Sequence, residues 1–472
     1  MLIGGSWLDA PGAPIVNPAD DSVLGKVPHV TLEQLQDAVA AGEVGLKIWR
    51  KTAASKRADV LMKAADLLRQ RVEPIATVVT LESGKPLTDA KLEVMRAASI
   101  LEWDSQEARR LYGRIIPSEP GMRHLVFREP IGVVAAFSPW NAPIGSPVRK
   151  VAGALAAGCS IILKAAEETP GSAMLLAQAL VDAGLPAGVL NLIFGNPVQV
   201  SEFLIPHPSI RLVALTGSVA VGKRLAAMAG AHMKPCIMEL GGHSPVIVCE
   251  DVNPVAVAKA AVPAKFRNSG QLCVGVTRFY VHKTVYDEFA QTIASEASKL
   301  QVGPGLDPST HMGPVANRRR VEAIERLIED ALACGARLLS GGSRIGQLGC
   351  FFQPTVMGDV PDHALAMHEE PFGPLVLLQR VSTLDEAIEK ANSTMLGLNA
   401  YVFTNSVAAI DRCIAEIDAG YLSINHFGSS VAETPFGGVK DSGYGREGGV
   451  EGLEHYTVTR TVSMKSASPG YS

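Results

Sequence analysis

Short apolar runs alternate with longer helical stretches between Gly132 and Met228, and this alternation limits the fold more than any other feature of the sequence. Gly132 to Phe137 reads as a strand, Pro147 to Ala157 as a helix, Ser160 to Lys164 as a strand and Thr169 to Ala183 as a helix. Strands at Val189 to Phe194 and Ile210 to Leu215 and a helix at Ala220 to Met228 follow. Runs that apolar suit strands buried on both faces, so the pattern predicts a parallel, doubly wound α/β sheet. Upstream, Thr31 to Leu111 has mostly helical periodicity, as in Lys56 to Leu68, where the apolar stripe is explained by core packing alone. A second alternating series starts at Ser244 to Val248 and continues through a helix at Pro254 to Phe266. Its later strands lie near Leu375 to Val381 and Ala400 to Thr404, which implies a second α/β unit. There is no internal repeat and no low-complexity linker.

Composition excludes several classes of function. With 43 Lys and Arg against 47 Asp and Glu, the net charge of -4 provides no basic field for nucleic acid or an anionic membrane. The longest uncharged apolar stretch, Val151 to Leu163, is 13 residues long, short of the roughly 20 needed for a span. The first thirty residues have one Lys and no Arg, unlike a signal or transit peptide, so a cytoplasmic location is expected. Seven cysteines without a CxxC pair argue for reduced thiols, any of which could be a nucleophile. The eleven histidines form no HExxH and no Cys/His cluster, so no metal site is expected.

One GxGxxG match, Gly443 to Gly448, lies between a Gly/Ser-rich loop and a polar tail, not between the strand and helix that a dinucleotide fingerprint needs. Thr216-Gly217-Ser218 is the better candidate, because it follows a strand and opens a helix whose free N–H groups could meet a phosphate. An ordinary strand-to-helix turn would look the same.

Three further segments stand where an element ends and a constrained loop begins: Ser138-Pro139-Trp140-Asn141-Ala142-Pro143, Glu239-Leu240-Gly241-Gly242, and Phe266 to Cys273. Taken singly, Cys273 could be an inert thiol, Glu239 a surface carboxylate and Asn141 a turn residue bonded to its own backbone. As an ordered set, together with Glu370-Pro371-Phe372-Gly373-Pro374 and Pro435-Phe436-Gly437-Gly438 leading to Lys440 and Ser442-Gly443, they resemble the aldehyde dehydrogenase superfamily over nearly the whole chain. Glu239 precedes Cys273 by 34 positions, the separation of that family's base and nucleophile.

The resemblance implies an α/β fold with a Rossmann-like parallel-sheet cofactor domain (1–108 and 132–239), an α/β catalytic domain (240–439), and an oligomerisation element with a C-terminal tail (109–131 and 440–472). It also implies NAD(P)-dependent oxidation of an aldehyde to an acid. Cys273 would attack to give a thiohemiacetal and then a thioester, Asn141 would hold the oxyanion, and Glu239 would activate water. For the cofactor it implies Pro139 and Trp140, Lys164 and Glu167 at the adenosine ribose, Thr216, Gly217 and Ser218 at the pyrophosphate, and Glu370 and Phe372 at the nicotinamide half. NAD is expected over NADP, with NADP possible, because Glu167 suits a ribose hydroxyl better than a phosphate. A homo-oligomer, dimer or tetramer, is expected. The chain departs from the family at Ala165, commonly Pro, and at Leu215, commonly Phe.

Lys265 to Val274 and Gly443 to Thr461 look most like the succinate-semialdehyde dehydrogenases. In that group arginines matching Arg149 and Arg267 and a serine matching Ser430 hold the distal carboxylate, although each arginine could equally be solvated or structural. The expected substrate is succinate semialdehyde. Glutarate or 2-oxoglutarate semialdehyde, or a general aliphatic aldehyde, is the alternative, and a non-catalytic binding protein is a remote one. Position 275 is Gly, so no redox disulfide with Cys273 is expected.

Overall fold

The computed structural model describes residues 1–428 and 430–465. Four helices, Leu32–Trp49, Ala54–Gln70, Val72–Ser83 and Leu87–Glu107, account for the helical periodicity near the N-terminus. The first is fixed by a capping box in which Thr31 and Gln34 exchange side-chain to backbone bonds.

The first sheet runs in the order Ser6–Trp7, Leu2–Ile3, Leu190–Ile193, Ser160–Lys164, Val133–Phe137, Ile210–Thr216, Cys236–Glu239 and Gly443–Tyr444. Its five central strands are parallel, and Val133–Phe137 and Ser160–Lys164 are buried at every residue, as expected of strands covered by helices on both faces. The chain first steps from Val133–Phe137 to one side, through Ser160–Lys164 to Leu190–Ile193. It then returns to the other side with Ile210–Thr216. Direction therefore reverses between Val133–Phe137 and Ile210–Thr216, and the crevice beyond the carboxyl ends of those two strands is where doubly wound sheets bind ligands. Asn141 follows the first of these strands and Gly217 the second.

The second sheet has the order Arg337–Ser340, Thr355–Gly358, Leu375–Val381, Val276–His282, Ser244–Val248, Asn399–Phe403 and Tyr421–Ile424, parallel except at its first pair. Cys273 lies just before the amino end of Val276–His282, so the second sheet presents its strand starts towards the residues that follow the first sheet's strand ends. A third sheet joins Thr457–Lys465, Met122–Pro130 and Arg114–Ile116 in antiparallel register, with Ile115, Phe127 and Val458 exposed. Among the described residues no helix is long and apolar enough to cross a membrane.

Gly443–Tyr444, expected in a loop and tail, is instead the antiparallel edge strand beside Cys236–Glu239. A Cβ at Gly443 would lie 1.9 Å from the Met238 carbonyl oxygen, so close approach of two backbones, not phosphate binding, accounts for that glycine.

Candidate active site

A cavity of about 550 Å³ opens between the two large sheets, and Asn141, Glu239, Cys273, Arg149, Arg267 and Ser430 all line it. Of the seven cysteines, all described, only Cys273 lines this cavity.

The loop that delivers Cys273 is held in an unusual conformation. Asn268, Ser269 and Gly270 all have positive φ, 48°, 54° and 71°, a region that side-chain-bearing residues occupy only when their surroundings enforce it. A Cβ on Gly270 would meet the Gly373 carbonyl oxygen at 2.2 Å. Side chains on every side fix the turn. Asp89 accepts the Asn268 N–H at 3.1 Å, Ser269 Oγ donates to the Gly313 carbonyl at 2.8 Å, and Gln271 Oε1 accepts the Ala316 N–H at 2.9 Å.

Asn141 joins the same network. Its amide donates to the Gln271 carbonyl at 3.1 Å, and its own carbonyl accepts from Asn268 Nδ2 at 3.0 Å and from Lys85 Nζ at 2.8 Å. Lys85 is ion-paired to Glu93, and Glu93 also accepts the N–H groups of Ile144 and Gly145, both at 2.9 Å. The start of helix Gly145–Ala157 and the Asn141 turn are thus tied to helix Leu87–Glu107.

Glu239 is 4% exposed, and its Oε1 is buried without a hydrogen-bond partner. Burial raises its carboxyl above the usual range, the nearby Glu447 raises it further, and Lys150, Thr216 and Cys273 oppose the rise. Burial also pushes the Cys273 thiol well up, and the Glu239 and Glu370 carboxylates add to that shift. A negative neighbour disfavours a thiolate, so Glu239→Gln should lower the thiol's pKa. The rate of Cys273 alkylation by iodoacetamide, followed against pH, should therefore move to lower pH in that variant; an unmoved or raised profile would contradict the coupling.

Lys150 and Glu447 were missed in the sequence. Lys150 is fully buried in helix Gly145–Ala157, donates to Thr216 Oγ1, and is ion-paired to Glu447 at 2.7 Å. A lysine that deep needs a carboxylate partner, and the adjacent charges Arg149 and Lys150 inside the run Pro147 to Ala157 were the available signal. Lys85, Glu93, Asn268 and Gln271 were also missed, because each acts through backbone groups distant in sequence. Lys265 is buried with Nζ unpartnered, and burial lowers its pKa to about 7.

Pro139 and Trp140, Lys164 and Glu167, and Thr216 to Ser218 lie at or just beyond the carboxyl ends of three neighbouring strands of the first sheet. Lys164 Nζ and Glu167 pair at 2.7 Å, and the other Glu167 oxygen accepts the Gly195 N–H at 2.9 Å. Ala165 donates its N–H to the Ile193 carbonyl at 3.3 Å, a bond that a proline there would lack. Ser218 caps helix Val219–Ala231, Leu215 packs beneath Gly217, and Gly217 donates its N–H to the Glu239 carbonyl at 3.1 Å. Half-buried Pro139 and Trp140 follow the buried Ser138, and the Trp140 ring meets Phe372 edge-on at 5.6 Å. Glu370 accepts the Gly242 N–H at 3.2 Å, and its carboxyl is raised to about 8, chiefly by burial.

Comparison with known proteins bears directly on this arrangement. The aldehyde dehydrogenase family model matches residues 7–462. The chain belongs to the aldehyde dehydrogenase family. A 4-(hydroxymethyl)benzenesulfonate dehydrogenase of Comamonas testosteroni is 43% identical over 98% of this chain and 97% of its own length. The NADP(+) succinate-semialdehyde dehydrogenase of Escherichia coli K12 is 40% identical over 96% and 95%. The crystal structure of a succinate-semialdehyde dehydrogenase from Burkholderia pseudomallei superposes with a TM-score of 0.96 at 39% identity, covering 98% of this chain and 97% of that one. The α/β architecture read in the sequence is thus that of an aldehyde dehydrogenase, an oxidoreductase family that uses NAD(P).

Proposed function

We propose that this aldehyde dehydrogenase oxidises an aldehyde carrying a distal carboxylate, with succinate semialdehyde as substrate: RCHO + NAD(P)⁺ + H₂O → RCOO⁻ + NAD(P)H + 2H⁺. The observation that carries the reading is the meeting of a thiol, a buried carboxylate, an amide and two arginines in one cavity. Cys273 Sγ adds to the carbonyl carbon, and the Asn141 amide and the Cys273 N–H receive the oxyanion, each donor contributing roughly 10² to 10³ in rate. A nicotinamide held by Pro139, Trp140, Glu370 and Phe372 would supply the hydride acceptor. Cys273 is then a thioester, and Glu239 removes a proton from the water that attacks it, a task suited to a carboxyl with a raised pKa. The Cys273 sulfur leaves as the acid is released.

The residues present fit a dinucleotide. Ser138 Oγ is buried and unpartnered, Ser218 opens a helix N-terminus, and a Cβ at Gly241 would meet Glu370 Oε2 at 2.6 Å, so Gly241 keeps that carboxylate free to turn towards a ribose. Lys164 and Glu167 would hold the adenosine ribose, Thr216, Gly217 and Ser218 the pyrophosphate, and Pro139, Trp140, Glu370 and Phe372 the nicotinamide half. We assign 1–108 and 132–239 to cofactor binding, 240–439 to catalysis, and the exposed apolar strands within 109–131 and 440–465 to a homo-oligomer contact.

The test is kcat/KM across aldehydes of matched length with and without a distal carboxylate, using each cofactor. Acidic aldehydes should lead, and NAD should exceed NADP, because Glu167 accepts from a 2′-hydroxyl and repels a 2′-phosphate. Equal rates for charged and uncharged aldehydes would overturn the substrate reading, and a higher kcat/KM with NADP the cofactor one.

A further inference from the structure

Arg149 and Arg267 share their cavity with a third arginine that lies far from both in sequence. Asp89, Leu92, Glu93, Arg96, Ser99 and Ile100 fall on one face of helix Leu87–Glu107, and all of them line the cavity. Arg96 stands at its mouth, partly open to solvent; burial lowers its pKa most, Arg267 and Arg149 lower it further, and Asp89 and Glu93 oppose the shift. The three guanidiniums come from three elements: helix Leu87–Glu107, helix Gly145–Ala157 and the turn after helix Pro254–Phe266.

Asp89 and Glu93 offset part of the positive charge on Arg96, and Asp89 also acts on Arg267, but their hydrogen bonds go to other groups. Asp89 accepts the Asn268 N–H, and Glu93 holds Lys85 and the start of helix Gly145–Ala157. Among the described residues Arg96 and Arg267 make no side-chain hydrogen bond or ion pair. Arg149 bonds only to Ser430 Oγ, lies over the Phe436 ring at 5.4 Å, and leaves Nη1 buried without a partner. Three like charges at one opening, offset only in part by Asp89 and Glu93, favour an anionic group bound among them. A carboxylate offers two oxygens in one plane, which a single guanidinium fork or two such groups can satisfy. Three forks and the Ser430 hydroxyl, approaching from separate elements, suit a head with three oxygens spread around a tetrahedral centre.

We propose that the cavity also takes sulfonate-bearing aldehydes as a second substrate class, with Arg96 as the residue that receives the third oxygen. The sulfonate passes through the reaction unchanged, and only the aldehyde carbon is oxidised. Its spacer can be an aromatic ring, since the cavity is walled by Leu92, Ile100, Leu272, Val274, Tyr421 and Phe436, a surface that a four-carbon chain would leave largely untouched. The proposal rests on the anionic-aldehyde reading above and adds to it the identity of the head group.

Three probes that differ only in that head decide the matter: 4-formylbenzenesulfonate, 4-formylbenzoate and benzaldehyde, with succinate semialdehyde alongside. The wild-type enzyme should turn over the sulfonate with a kcat/KM at least equal to that of the benzoate and about tenfold or more above benzaldehyde. Arg96→Ala should reduce the sulfonate's kcat/KM about tenfold or more while changing the two carboxylates less than about threefold. Arg96→Lys, which keeps charge without the fork, should recover part of the loss. A sulfonate no better than benzaldehyde, or an Arg96→Ala loss equal on all anions, would overturn the inference. If the carboxylates then kept their advantage and remained sensitive to Arg149→Ala and Arg267→Ala, the proposed function would stand without it. If no anion outran benzaldehyde, both would fall.

Discussion

Replacing Cys273 by Ala is expected to abolish aldehyde oxidation, whereas Glu239→Gln is expected to release one equivalent of reduced cofactor per active site and then stall. In the proposed mechanism the two side chains serve successive half-reactions, so their loss should be visible at different times. Without the thiol no covalent adduct forms, and the hydride has no tetrahedral carbon to leave from. Without the carboxylate the adduct still forms and is oxidised, but the attacking water loses its general base, which is worth roughly 10² to 10⁴ in rate. Rapid mixing with absorbance at the reduced-nicotinamide band should therefore show a full burst and a steady phase slower by about that factor. Normal steady turnover in Glu239→Gln would remove Glu239 from this role. The burst also separates a catalytic effect from damage to the fold, because a misfolded cavity would lose the first turnover as well.

Arg149→Ala and Arg267→Ala should each lower kcat/KM for succinate semialdehyde by about 10 to 100-fold, with a much smaller change for an uncharged aldehyde of similar length. A charge-assisted hydrogen bond contributes roughly 1.5 to 3 kcal/mol, and that range converts to this factor. The control matters more for Arg149, which packs on Phe436 and holds the Ser430 hydroxyl, so its removal also takes away packing. Ser430 itself has φ of 60°, so the hydroxyl is placed by a turn that Arg149 helps to anchor. Equal losses on the two aldehydes would make both arginines structural.

Much of this was legible in the sequence because it depends on local patterns. Continuous apolar strands between helices predicted the parallel sheet, and the sequence placed the helix Pro254–Phe266 and the strand Ser244–Val248 with the observed bounds. Residues placed at element ends, such as Cys273 and Asn141, stand out by their neighbours. What escaped depends on long-range register. Strand Val276–His282 was not predicted, although it is central to the second sheet. The edge strand at Gly443 has only two residues and takes its form from its partner, so no periodicity could announce it. Arg96 occupies one turn of an amphipathic helix, where an arginine usually means solvent. Only the arrival of two other arginines from distant segments gives it another meaning.

The Lys150–Glu447 pair bears on how such a chain is made. Its two halves lie 297 residues apart, and a ribosome adding about 5 to 20 residues per second would expose the lysine some 15 to 60 s before the glutamate emerges. Throughout that interval the nascent polypeptide carries an ammonium destined for a dry interior with no counter-charge to accompany it there, and the edge of strand Cys236–Glu239 lacks the Gly443–Tyr444 strand that will cover it. Closure of the centre around Glu239 is thus deferred until the Gly443–Glu447 segment has emerged, and a chain stalled before that point would leave a bare sheet edge for chaperones to shield.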